Sequence, residues 1–148
     1  MDEFLKYWFG GLEKAIENMA ESERVSLFFQ CGKACSESYT KALYYDIWKK
    51  ARDCSEFFVL LSDRVKEIEI KELEKNKSYE VIYHQCLCDL YTKGYMTTGC
   101  LCECSRQSLL YNLRSIWPDK VVEVELIESI LGGGRQCMLK VYLTEMIV

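Results

Sequence analysis

VVEVELIESILGGGRQCMLKVYL, residues 121–143, carries the clearest local signal in the chain. Val122, Val124 and Leu126 alternate with glutamates; after Gly132, Gly133 and Gly134, the residues Cys137, Leu139, Val141 and Leu143 alternate again. A period of two sends one set of side chains to a core and the other to water, and the glycines permit the positive φ of a tight connection, so the stretch reads as an antiparallel hairpin. The competing use of the glycines is a close backbone approach over a ligand.

Working outward, a second hairpin is expected over residues 66–84. Ile68 and Ile70 sit between Glu67, Glu69 and Lys71, and Tyr79, Val81 and Tyr83 sit between Glu80, Ile82 and His84, with a turn near Asn76. A charged helix from Asp63 to Lys75 competes for the first of these strands, since Val65, Ile68 and Leu73 partly support it. Between the hairpins, Leu109, Leu110, Leu113, Ile116 and Trp117 mark the buried face of a helix that starts at Cys104 or Ser105 and is stopped by Pro118. Residues 89–103, with Gly94, Thr97, Thr98 and Gly99, hold no period and read as a loop long enough to be functional.

The N-terminal side is helical. Phe4, Trp8, Leu12, Ala15, Ile16 and Met19 recur at helical spacing; Ser22 and Glu23 open a second helix through Val25, Phe28, Cys31, Gly32 and Cys35; Tyr44, Tyr45, Trp48 and Ala51 mark a third. Asp53 caps a short fourth helix that packs Phe57, Phe58 and Leu61. The fold class that follows is α+β: N-terminal helices packed on an antiparallel sheet of two hairpins, with one helix between the hairpins. One domain is expected over residues 1–148, with helices over residues 1–65 and the sheet within residues 66–148.

With 148 residues, 49% of them apolar, the chain can bury a hydrophobic core. Net charge is −4 and the basic residues are scattered, which leaves no electrostatic footprint for nucleic acid or an anionic membrane. No apolar run reaches the ~20 residues of a spanning helix, and Asp2 and Glu3 open the chain where a secretory leader is basic, so a cytoplasmic protein is expected. In a reducing compartment nine cysteines read as ligands, reactive thiols or small hydrophobes before disulfides.

Six of the soft donors stand in two strings, His84, Cys86 and Cys88 in YHQCLC, and Cys100, Cys102 and Cys104 in GCLCECS, separated by eleven residues. In extended backbone, side chains at i, i+2 and i+4 share a face, so each string presents three donors together if it is extended. Four thiolates from a short loop close a tetrahedron around zinc or iron; the C-x-C spacing is a weaker signature of this than C-x2-C, and a reduced, partly buried cluster is the plainer reading. Cys104 at a helix start, with Arg106 nearby, is the candidate reactive thiol, against the simpler role of ligand or packed residue. His84 is the sole imidazole and a surface role is the plain reading of it. Cys31 and Cys35, one helical turn apart beside Gly32, pack in the core or line a ligand cavity; Cys54 has no partner in sequence. Ten tyrosines suit a pocket for an apolar molecule or an ordinary core, and Tyr44, Tyr45 and Trp48 read as packing residues.

The order CLC at 86–88, CECS at 102–105, a helix, then VEVELIESILGGGRQCMLKVYL at 122–143 resembles 4-vinyl-reductase-type small-molecule-binding domains and an uncharacterised bacterial cysteine-rich family related to them. CGKAC at 31–35 resembles a further motif of that second family. The resemblance implies an α+β domain similar to ligand-binding modules of haem nitric-oxide sensors and Golgi transport particles, which binds a small apolar molecule, in some members near cysteines that hold a metal. By position Cys86, Cys88, Cys102, Cys104 and Cys137 match motif cysteines, whereas Cys100 and His84 are additions; a histidine in a strand is no proximal haem ligand, so haem is not expected. The expectation is therefore a small-molecule-binding or sensor domain, with Cys86, Cys88, Cys102 and Cys104 as ligands of zinc, or of iron as second choice. Cys31, Cys35 and Cys137 are expected beside the bound molecule. No catalytic residue is assigned, and a homodimer is left open. The alternative is a thiol-dependent hydrolase acting on a small heterocyclic or sulfur-containing substrate, from a weaker similarity of the C-x-C patterns to small hydrolases of sulfur-containing heterocyclic acids.

Overall fold

The alternation over residues 66–84 resolves as strands, and one contact explains why. Strands β1 (Ile68–Glu74) and β2 (Ser78–Tyr83) pair antiparallel around Asn76, the only non-glycine residue with positive φ among those described, at 59°. Asparagine tolerates that conformation, and here its Oδ1 accepts the Ser55 amide at 3.0 Å while its own amide donates to Ser55 Oγ at 3.1 Å. The hairpin tip is thereby tied to the start of a helix, which a charged helix over Asp63 to Lys75 could not achieve. This computed structural model describes residues 2–146.

The helices come first. Helix α1 (Glu3–Glu17) is capped by Asp2, whose carboxylate accepts the Phe4 amide at 2.8 Å. The second and third expected helices form one continuous rod: α2 (Glu21–Cys35), a π-helical turn over Ser36–Thr40, and α3 (Lys41–Lys50). Such turns insert one residue into the helical ladder and recur at functional sites. Asp53 caps α4 (Cys54–Arg64) as expected, accepting the Glu56 amide at 2.8 Å.

After β2 the chain makes a single-turn helix α5 (Asp89–Thr92), a 3-10 turn over Gly99–Leu101, and then α6 (Cys102–Ile116), so some of the expected loop is helical and α6 starts earlier than its apolar stripe indicated. Thr98 explains the early start, since its Oγ1 accepts the Cys100 amide at 3.3 Å and opens the turn. Strands β3 (Lys120–Glu128) and β4 (Cys137–Glu145) form the second hairpin, and β4 pairs with β2, giving the antiparallel order β1-β2-β4-β3. Gly133 adopts φ +96° in the connection, a conformation that L side chains resist.

Two apolar clusters result. The larger joins Tyr44 and Ile47 of α3, Phe57, Phe58 and Leu61 of α4, and Leu109 and Leu113 of α6 to Val81, Val124, Leu139 and Val141 of the sheet. The smaller joins Ile16 of α1 and Phe28 of α2 to Met96 and Leu101 of the segment before α6. Glu13 of α1 anchors that segment, accepting the amides of Thr97 and Thr98 at 2.7 and 2.6 Å. Among the described residues, no helix is long and apolar enough to cross a membrane.

Candidate functional site: a cysteine-walled cavity

Where the two clusters meet, a cavity of about 570 Å³ opens. Its wall takes side chains from four regions of the chain, and seven of the nine cysteines are among them: Cys31, Cys35, Cys86, Cys88, Cys102, Cys104 and Cys137. All nine are free thiols. The sulfurs before and after the loop thus do share one volume, together with the CGKAC pair.

Close packing of α2 on α6 brings in Cys31 and Cys35. A Cβ placed on Gly32 would stand 2.8 Å from the Ser108 amide nitrogen, 2.9 Å from Gln107 Cβ and 3.0 Å from the Cys104 carbonyl oxygen, so only glycine lets the two helices approach this closely. One turn later the fully buried Ser36 completes the seam, its Oγ 2.7 Å from Ser108 Oγ and donating to the Ser108 carbonyl at 3.1 Å. Cys86 and Cys88 enter from the chain leaving β2. Cys137 enters at the start of β4, where it is the register partner of Tyr83, and its Sγ accepts the Ile130 amide at 3.4 Å.

Cys102 and Cys104 reach the cavity by a route different from the one the sequence suggested. They lie in the first turn of α6, where residues i and i+2 diverge by about 200°. Cys102 lies beside Cys86 and Cys137, and Cys104 beside Cys31, Cys35 and Cys88. The first helical turn therefore places its thiols on two flanks of one cavity. Cys100, in the 3-10 turn, packs against the smaller apolar cluster and does not line the cavity. His84 is exposed, with its Nε2 2.7 Å from a Glu69 carboxylate oxygen, so no imidazole serves these thiols. Cys54 is buried in the main core, and burial pushes its thiol up to about 11.

Cys104 takes the simpler of the two roles weighed for it, that of a packed residue. Burial, reinforced by Cys31, Cys35 and Cys88, pushes its thiol up to about 12. Desolvation outweighs the helix dipole, and the Arg106 guanidinium is engaged elsewhere, on the Glu103 carboxylate at 2.6 Å and the Val124 carbonyl at 3.0 Å. Burial likewise raises Cys35, Cys86 and Cys102 above the ordinary thiol value. Near pH 7 these four thiols stay protonated and weakly polar.

Zinc bound by thiolates needs four sulfurs each about 2.3 Å from one point. Among the described residues, no group of three or more His, Cys, Asp or Glu side chains is arranged to hold a metal ion.

The rest of the wall carries information that cysteine counting passed over. Tyr44 and Tyr83 line it with their hydroxyls facing each other, and burial raises both, Tyr83 to about 12, so they remain neutral. Tyr44 is both a core residue and a wall residue, whereas Tyr45 is 53% exposed and Trp48 packs edge-on to Trp117. Asn112 also lines the cavity. Its signal lies in the sequence: a polar residue inside the apolar stripe from Leu109 to Ile116. Among the described residues, no Lys, Arg or His faces the cavity, and Asp89 is its one carboxylate.

No family model matches this chain, and no curated protein matches it by sequence. Among solved structures it is similar to a trafficking protein particle complex subunit 3 from Naegleria fowleri covalently bound to palmitic acid, at 15% identity and a TM-score of 0.51, covering 99% of this chain and 96% of that one. A second similarity, to an H-NOX protein from S. oneidensis in the Fe(II)NO ligation state, has 13% identity and a TM-score of 0.47, covering 82% of this chain and 66% of that one, too low to carry an argument. The first comparison shows a shared α+β fold.

Proposed function

We propose that this protein binds a small, neutral, apolar molecule in the cysteine-walled cavity. The observation that carries the reading is the wall itself: about 570 Å³ lined by thiols, leucines and tyrosines, with no cationic side chain among the described residues to receive an anion. That volume lies within the range of roughly 300–1,000 Å³ typical of small-molecule pockets, and thiols behave as small hydrophobes when they are not ionised. An anionic ligand would lose its hydration without gaining a cationic partner.

Two likenesses support the reading. The Naegleria protein shares this fold and was solved with palmitic acid bound, so the fold accommodates an apolar chain in that protein. The resemblance of residues 86–143 to 4-vinyl-reductase-type domains points to the same ligand class, and in this reading residues 1–148 work as one α+β unit. Zinc or iron on Cys86, Cys88, Cys102 and Cys104 is not needed for it; metal analysis of protein purified without added metal tests that separately, and a stoichiometric content would reassign the thiols to a structural centre.

N-phenyl-1-naphthylamine, a neutral dye that fluoresces in apolar surroundings, tests the cavity directly. Fluorescence should rise to saturation at one dye per chain. Cys35→Trp, which places an indole in the cavity from the exposed side of α2, should abolish the rise without loss of fold. A wild-type protein that shows no saturable binding, or a variant that binds equally well, overturns the reading.

A further inference from the structure

The sheet has a second face, and its charges fall into one line. Strand residues alternate between faces, and the main core takes Tyr79, Val81, Leu139, Val141 and Val124. Their neighbours Glu80, Lys140 and Glu125 therefore point away from that core, as does Lys71, which follows the core-packed Ile70. The register aligns these four across the sheet: Lys71 pairs with Glu80, Glu80 with Lys140, and Lys140 with Glu125. In the strand order β1-β2-β4-β3 the row reads plus, minus, plus, minus. Lys71 and Glu125 are exposed and Glu80 and Lys140 half-buried, and none of the four forms an ion pair with another side chain among the described residues. Lys140 Nζ lies instead 5.1 Å from the centroid of the Tyr142 ring on its own strand. Apolar surface adjoins the row: Leu73 and Ile127, two residues on from Lys71 and Glu125, are 47% and 48% exposed.

Unlike charges on neighbouring strands favour the sheet itself, and any alternating row does that much. A row of even length does more. Reversed, it reads minus, plus, minus, plus, so a second copy turned about a two-fold axis that runs along the strands, between β2 and β4, sets Lys71 opposite Glu125 and Glu80 opposite Lys140, with the reciprocal contacts following by symmetry. A two-fold axis along the row would set each charge on its own copy. We propose that the open face of the sheet is a self-association surface, on which two copies of this chain stack face to face and Lys71, Glu80, Lys140 and Glu125 form ion pairs across the interface. Stacked sheets lie roughly 10 Å apart, a gap that a lysine and a glutamate side chain span together. The same rotation lays Met138 over Ile82 of the second copy, since the two are register partners in the row beside the charges. The cavity takes Tyr83, Leu126 and Leu139 from the opposite face, so this surface is independent of it.

Sedimentation velocity of the full chain, at micromolar concentration and low ionic strength, should show a particle of twice the chain mass. Glu80→Lys sets like charges opposite each other at the centre of its own dimer, and Lys140→Glu does the same with the other sign, so each variant alone should sediment as a monomer. Mixed in equal amounts they restore unlike charges at every contact of the row, and the mixture should sediment as a dimer. Mixing changes nothing within a single sheet, which separates contact between copies from pairing between strands. Lys71→Glu and Glu125→Lys, at the exposed ends of the row, repeat the design and carry the test if circular dichroism shows that either central variant fails to fold. A wild-type protein that sediments as a monomer, folded variants that dimerise alone, or a mixture that stays monomeric overturns the proposal.

Discussion

Gly32 and Ser108 are in backbone contact: the hydrogen on the Gly32 Cα occupies the place where a methyl group would lie 2.8 Å from the Ser108 nitrogen. The contact holds α2 against α6, and so holds Cys31 and Cys35 beside Cys104. Because the obstruction is main chain, it cannot swing aside. Gly32→Ala should destabilise the protein by about 1–3 kcal/mol. Gly11 in α1 is the contrast, since a Cβ there meets nothing within 4 Å, and Gly11→Ala should stabilise by about 0.5–1 kcal/mol through helix propensity. Urea denaturation of both variants checks the pair; a neutral Gly32→Ala would show that the helices have room to part.

Alkaline pH should unfold the protein. Cys104 stands at about 12 and Cys54 at about 11 when folded, against an ordinary value of 9.0. The folded pKa values are the higher ones, so the folded state holds these protons more tightly than the unfolded chain. Their contribution is fully present below pH 9 and is lost as pH rises from about 9 through 11 and 12. Denaturation midpoints measured from pH 7 to 11 should be flat at first and fall above 9, and Cys104→Ala should lessen the fall. A midpoint that rises above pH 9 would contradict the burial of these thiols.

Alkylation should sort the cysteines by position. With iodoacetamide at pH 8, the exposed Cys31 should react well before Cys104 and Cys54, which are held protonated by burial. Saturation with N-phenyl-1-naphthylamine should slow Cys31 and Cys35 several-fold while leaving Cys100, outside the cavity, at its original rate. Mass spectrometry of the labelled peptides reads each site; uniform rates with and without the dye would place its binding elsewhere.

The Glu13 clamp should be separable from the core. Glu13→Ala removes the acceptor for the Thr97 and Thr98 amides, and should cost about 1–3 kcal/mol. Hydrogen exchange should accelerate first at Thr97 and Thr98, with Val81 and Val141 in the sheet unchanged until global unfolding. Protection that persists at both threonines would mean that the smaller apolar cluster alone holds the segment.

Local chemistry is enough to explain what the sequence by itself determined. Alternation over Val122 to Leu143 and over Ile68 to Tyr83, the Asp53 cap and the Pro118 stop each act within a few residues, and the two hairpins, the helix between them and the α+β class follow from them. The cysteine strings are visible as strings, but their conformation is not: an extended backbone does not hold where Cys102 and Cys104 begin a helix. What only the tertiary structure decided is the cavity, because Cys31 and Cys137 lie at opposite ends of the chain and meet through the α2–α6 seam and the β2–β4 pairing. It also decided the state of Cys104, since burial is a property of everything packed around a thiol, and here it overrides the helix terminus that the sequence displays. The unpartnered oxygen of Asn112 belongs to the same class: the stripe shows that a polar residue is buried, and only the packing shows which of its atoms has no partner.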